Sequence, residues 1–197
     1  MGSDVVKLLL ALFLVVLNGF FVAAEFSIVK VRYSQIQIKA AEGNAMAKQA
    51  EHLIKHLDEY LSATQLGITL ASLALGWVGE SAMHHVIENT LHYFSIALAD
   101  STITTISLVI SFLLITIMHI VFGELIPKSI AIRKSEQTAM LIAMPLRLFY
   151  TVFKPFIWSM NQMSNGFLRL VKIHPASDQE IHSTEELQLL VKQSADS

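Results

Sequence analysis

The sequence contains no cysteine, which excludes disulfide frameworks, thiol nucleophiles and cysteine-based zinc sites. Charge is scarce as well. Asp, Glu, Lys and Arg make up 15% of the 197 residues, against about 25% in soluble domains. The formal net charge of -2 removes the electrostatic basis for a nucleic-acid binder. No internal repeat, no low-complexity tract, no nucleophile–base pair and no cofactor loop stands out, so an enzyme is not expected. The opening MGSDVVKLLL lacks the basic n-region and small-residue cleavage site of a removed signal peptide. What is abundant is apolar: 53% of residues are hydrophobic and mean hydropathy is +0.54. That composition belongs to a membrane protein.

A bilayer core of roughly 30 Å needs about 20 apolar helical residues. Three stretches free of Asp, Glu, Lys and Arg meet or approach this: Leu8–Ala24, Tyr60–Gly79 and Ser101–Gly123. They predict an all-α membrane protein with spans at about 5–29, 61–79 and 102–126. A fourth apolar region, Met140–Val171, carries Arg147, Lys154 and Arg169 and contains Pro145 and Pro155. Its longest charge-free run, Pro155–Leu168, suits a surface-lying segment better than a span. The expectation is therefore an amphipathic belt over about 137–171, with a fourth span as the other reading. The linker at about 30–59 is likewise read as amphipathic helix along the inner leaflet.

Lysine and arginine placement sets the orientation. Lys30–Glu59 carries five basic residues and Glu80–Asp100 none, while eight follow Pro127 and only Lys7 precedes the first span. The expected protein is multi-pass, with its N-terminus outside and its C-terminus in the cytoplasm. Near the end, Ser183-Thr184-Glu185-Glu186 opens HSTEELQLLVKQ as a capping box. Residues 176–197 are thus read as the start of a cytosolic helical region.

Within the spans the only acidic residues are Glu25 and Glu124, both near the inner end. Burying a carboxylate there costs several kcal/mol, of the order of 3, unless something compensates. No lysine or arginine lies inside a span to do so, which leaves a bound cation. Asn18 shares a helical face with Glu25. Gln65, Thr69, Ser72 and Gly76 form a polar, small-residue stripe on the second span, read also as a close-packing seam. Pro127 has no N–H for the carbonyl of Gly123, so GELIPK sets a free backbone oxygen beside the Glu124 carboxylate. An ordinary proline kink is the plainer alternative. The donors are all oxygens, which favours hard cations such as Mg²⁺, Ca²⁺ or Na⁺ over zinc or copper. His119 is placed on a different face from Glu124, and a histidine metal site is not expected.

GELIPKSIAIR after a long apolar helix, NGFFVAAEFSIVKVR in the first span and TQLGITLASLALGWVGE in the second resemble the transmembrane domain of the CNNM/CorC family. STEELQLLV resembles the start of its cytosolic helical region. The resemblance covers essentially the whole chain and implies a domain at 1–175 of three spanning helices, the third kinked, plus juxtamembrane helices, assembled as a homodimer in the plasma or inner membrane. It implies Mg²⁺ export coupled to Na⁺ entry, with the ion held between helices beside Glu124. Ser72 and Glu25 match the family's polar positions in the second and first spans, although eukaryotic relatives carry a different polar residue at the latter. ATP is expected only through paired CBS domains that would follow this sequence. The resulting ligand set is Glu124, Gly123, Ser72, Glu25, Asn18 and Thr69, with Pro127 as the structural break. A Mg²⁺-sensing membrane regulator that binds the ion without carrying it is the alternative.

Overall fold

The computed structural model describes residues 2–93 and 100–171, and every element in them is helical. Met1–Ile157 and Trp158–Ser197 are separate compact units. The capping-box segment at 176–197 lies outside the described residues.

Seven α-helices run in order: α1 (Gly2–Lys30), α2 (Tyr33–Ala41), α3 (Ala45–Lys55), α4 (Leu57–Tyr93), α5 (Asp100–Met118), α6 (Ile126–Arg133) and α7 (Ser135–Leu170). A π-helical segment, His119–Leu125, joins α5 to α6 without a break. Among the described residues four stretches, not the expected three, are long and apolar enough to cross a membrane: Val5–Lys30, Leu57–Glu88, Ser101–Arg133 and Ser135–Leu170. The fourth is a single helix, with Pro145 and Pro155 inside it. Both proline rings sit on its exposed side. The helix can curve away from them and keep its buried face intact, as helices convex toward their surroundings do.

That buried face consists of Ala139, Ile142, Ala143 and Leu146 at helical spacing, with Ile157 further along. It joins one cluster with Phe21, Ala24 and Ile28 of α1, Leu53 of α3 and Tyr60 and Ala63 of α4. The polar contacts of α7 follow the linker residue by residue. Glu136 pairs with Lys39, Arg147 donates to Gln49 at 2.6 Å, and the Tyr150 hydroxyl donates to Glu59 at 2.5 Å. The first half of α7 therefore packs on α2, α3 and the start of α4 as well as on Phe21, Ala24 and Ile28 of α1.

The linker is two helices. Gly43, with φ of 93°, takes the left-handed conformation that ends α2. Asn44 then caps α3 by accepting from the N–H groups of Met46 and Ala47 at 2.9 and 3.1 Å. Burial lowers the pKa of His52 on α3, helped by the neighbouring charges of His56 and Arg147.

Two close approaches fix α1. Gly67 of α4 lies against the flat of the Phe21 ring, so a Cβ there would come within 2.4 Å of it. Phe149 of α7 meets the same ring edge-on at 4.7 Å. Gly19 faces the π segment, where a Cβ would stand 2.8 Å from Pro127 Cγ and 3.3 Å from the Phe122 carbonyl oxygen.

Candidate cation site

At the π segment α1, α4 and the α5–α6 rod meet through polar groups. A π turn holds one more residue than an α turn, and here the N–H of Ile126 reaches back to the carbonyl of Val121. Pro127 follows at the first turn of α6 and donates nothing. The Gly123 carbonyl is satisfied from outside its own helix, accepting from Asn18 Nδ2 at 2.9 Å in a buried hydrogen bond. Ser72 Oγ donates to Asn18 Oδ1 at 3.1 Å and lies 3.3 Å from His119 Nε2. One network of Asn18, Ser72, His119 and Gly123 thus ties three long elements together. Asn18 is only 1% exposed, so each bond is made away from competing water.

Glycine at 123 is required sterically. A Cβ there would lie 2.9 Å from His119 Cδ2 and 3.2 Å from Asn18 Nδ2. The sequence had set His119 aside by its angle to Glu124. The relevant neighbour is Gly123, four residues on, and both face Asn18. A histidine in an otherwise apolar span was the available signal. Gly19, next to Asn18, was likewise unmarked by periodicity.

The remaining candidates stand apart from this network. Glu124 is exposed and makes no hydrogen bond or ion pair among the described residues. Glu25 is half-buried on α1, with the Lys128 ammonium near enough to act on its charge. Lys128 also sits 4.4 Å over the Phe26 ring, a cation–π contact. Lys128 therefore faces α1 at Phe26, next to Glu25 in the chain. Thr69 is exposed, and its hydroxyl returns to the Gln65 carbonyl at 2.8 Å.

A cleft of about 560 Å³ opens from Ser72 and His119 between α4 and α5, floored by Gly76 and walled by Leu75, Phe112 and Ile115. Ser72 and His119 form its polar end, and behind Ser72 the Asn18 amide links that hydroxyl to the buried Gly123 carbonyl. Oxygen donors of this kind suit a hard cation. Among the described residues no cluster of three acidic, histidine or cysteine side chains is placed to hold a metal ion, at this junction or elsewhere.

The family profile described as the Cyclin M transmembrane N-terminal domain, CNNM, matches residues 9–197. The chain is similar to two Bacillus subtilis (strain 168) proteins. It is 42% identical to UPF0053 protein YrkA over 96% of this chain and 43% of that protein. It is 45% identical to UPF0053 protein YhdT over 98% of this chain and 41% of that protein. An uncharacterized Mycobacterium tuberculosis protein, Rv1841c, is 34% identical over 94% of this chain and 52% of its own length. The chain thus spans about two fifths of the Bacillus proteins it matches.

Proposed function

The chain belongs to the CNNM family as its transmembrane domain, and from that premise we propose that it binds Mg²⁺ between its helices and carries it across the membrane. The observation that supports this most is the Gly123 carbonyl, buried in the π segment and held from across the bundle by Asn18 at 2.9 Å. A backbone oxygen released at membrane depth is tolerated only where protein or a polar cavity meets it.

Cation binding exchanges donors. Asn18 Nδ2 releases the Gly123 oxygen, and the ion takes its place. Ser72 Oγ and Asn18 Oδ1 turn their lone pairs to the same point, with His119 Nε2 holding the serine hydroxyl. Mg²⁺ demands six oxygens at about 2.0–2.1 Å and dehydrates reluctantly, so three neutral oxygens do not suffice. Glu124, adjoining Gly123 in the chain, supplies the charge when the π segment turns it inward. Glu25 stands at the mouth of this path. Na⁺ entering from the other side uses the same oxygens and drives Mg²⁺ export. Thr69, facing away, contributes to the helix seam and not to the ion.

The basic-residue asymmetry assigns the N-terminus to the outside of a plasma or inner membrane. It gives α7 a place along the cytoplasmic face with α2 and α3, which agrees with its polar contacts to Lys39, Gln49 and Glu59. A homodimer is the proposed assembly. Titrating Mg²⁺ into the purified chain by calorimetry tests the site. We expect one saturable event per protomer, abolished by Glu124→Gln and weakened by Ser72→Ala. Unchanged binding by both variants would move the site elsewhere.

A further inference from the structure

A second cavity lies on the opposite flank of the π segment. This groove of about 580 Å³ is walled by Val121, Leu125, Ile126 and Ile130 and ends in Ser129, Arg133 and Lys134. Its apolar wall is open, with Leu125 and Ile130 each 51% exposed. Ile126, Ser129, Ile130 and Arg133 follow one helical stripe, which brings the guanidinium to the end of the apolar track.

The two cations have no acidic partner among the described residues. Glu136, the nearest carboxylate in sequence, is engaged by Lys39. Lys128 leaves on the other side of α6 to cover Phe26. So α6 divides its basic residues: one turns inward to α1, and two remain unpaired at the groove's end. At about 1.5 Å per residue, Val121 to Arg133 covers about 18 Å, close to half of the roughly 30 Å hydrocarbon core. The groove is therefore about one leaflet deep, apolar along its length and cationic where the headgroup layer begins.

We propose that this groove is a binding site for one anionic phospholipid. An acyl chain lies along Val121–Ile130, and the headgroup phosphate is held by Arg133 and Lys134 with the Ser129 hydroxyl. A guanidinium presents paired N–H donors to phosphate oxygens, and basic pockets at helix ends are a known form of headgroup recognition. The occupant is anionic, and not merely a phosphate-bearing lipid, because two cations need neutralising.

Native mass spectrometry of the purified chain, with equimolar phosphatidylglycerol and phosphatidylcholine in the detergent, tests this. Each basic residue near the headgroups is worth about a fivefold preference, so two predict roughly 25-fold retention of phosphatidylglycerol over phosphatidylcholine. Arg133→Gln/Lys134→Gln should bring the ratio near one, and Lys48→Gln/Lys154→Gln should leave it unchanged. Ile130→Trp fills the groove with both cations intact and should also abolish the preference, with Ile126→Trp as a second filling variant. Equal retention of both lipids by the unaltered chain, or no effect of the Arg133/Lys134 pair, overturns the proposal. A preference that survives both filling variants reduces it to general surface charge and also overturns it. Filling variants that change the oligomeric state without changing lipid retention show the groove to be a contact between copies, against the proposal.

Discussion

Replacing Asn18 by leucine isolates the bond on which the site is built. Leucine is close to asparagine in size, so the change opens no large cavity at this 1%-exposed position. It removes the donor that reaches the Gly123 oxygen at 2.9 Å and the acceptor for Ser72. Ser72 keeps His119 as a partner at 3.3 Å, but the Gly123 carbonyl has no replacement, because Pro127 has no N–H. An unsatisfied buried acceptor costs about 1–3 kcal/mol, and hydrogen bonds between membrane helices average about 0.6 with a maximum near 1.7. About 1.5 kcal/mol is therefore expected for Asn18→Leu. In a Pro127→Ala background the peptide N–H at 127 is restored, and a turn that returns to α register brings it to the Gly123 carbonyl as a local donor. There the same substitution should cost only about 0.5 kcal/mol, a coupling of about 1 kcal/mol, well above the roughly 0.3–0.5 that separates coupled from additive sites. The packing of Pro127 on Gly19 is lost in both arms and cancels. Unfolding by sodium dodecyl sulfate in mixed micelles, followed by circular dichroism, measures all four corners. Equal costs in the two backgrounds would refute the claim that Asn18 substitutes for the missing proline donor.

The other glycine and linker contacts make sharper contrasts. Gly67→Ala should cost about 1–3 kcal/mol as an overpacked contact with Phe21, while Gly76→Ala, with nothing within 4 Å of its Cβ, should be near neutral in the same unfolding assay. Asn44→Ala removes the two-pronged cap of α3 and should cost about 1 kcal/mol. Because burial, His56 and Arg147 lower the His52 pKa below 6.5, against the opposing charge of Glu59 and with Lys55 adding to the shift, the folded state takes up its proton later than the unfolded chain. Stability should be greatest above pH 6.5 and fall as pH drops through and below that value. His52→Gln should flatten that fall, and a pH series of unfolding midpoints reads it directly.

Much of this architecture was legible from hydropathy alone, because three charge-free runs announce three spans whatever they pack against. The fourth long helix was hidden by a local rule. Pro145 and Pro155 normally end helices, and only the tertiary placement of their rings on the exposed face lets α7 continue. A disturbance of the helix at Pro127 was visible in the sequence. Its form was not, since a π segment disturbs the 3.6-residue period by which faces are assigned. For the same reason the partner of the Gly123 carbonyl could not be read from helical spacing. Asn18 had been grouped with Glu25 on one helical face, yet its amide bonds across the bundle to the third element, 105 residues away in the chain. Carboxylates draw attention in an apolar sequence because burial of charge is costly. The groups this network joins are of another kind: an amide, a hydroxyl, an imidazole and a carbonyl.

The central claim is that this domain carries Mg²⁺ through the junction at Gly123. Its most direct test is Mg²⁺ flux in liposomes containing only this chain, under an imposed Na⁺ gradient and with a Mg²⁺-sensitive dye inside. Flux should collapse with the gradient and be lost in Glu124→Gln and Asn18→Leu, both still folded by circular dichroism. Mg²⁺ binding without any flux would contradict it and identify the domain as a sensor of the ion.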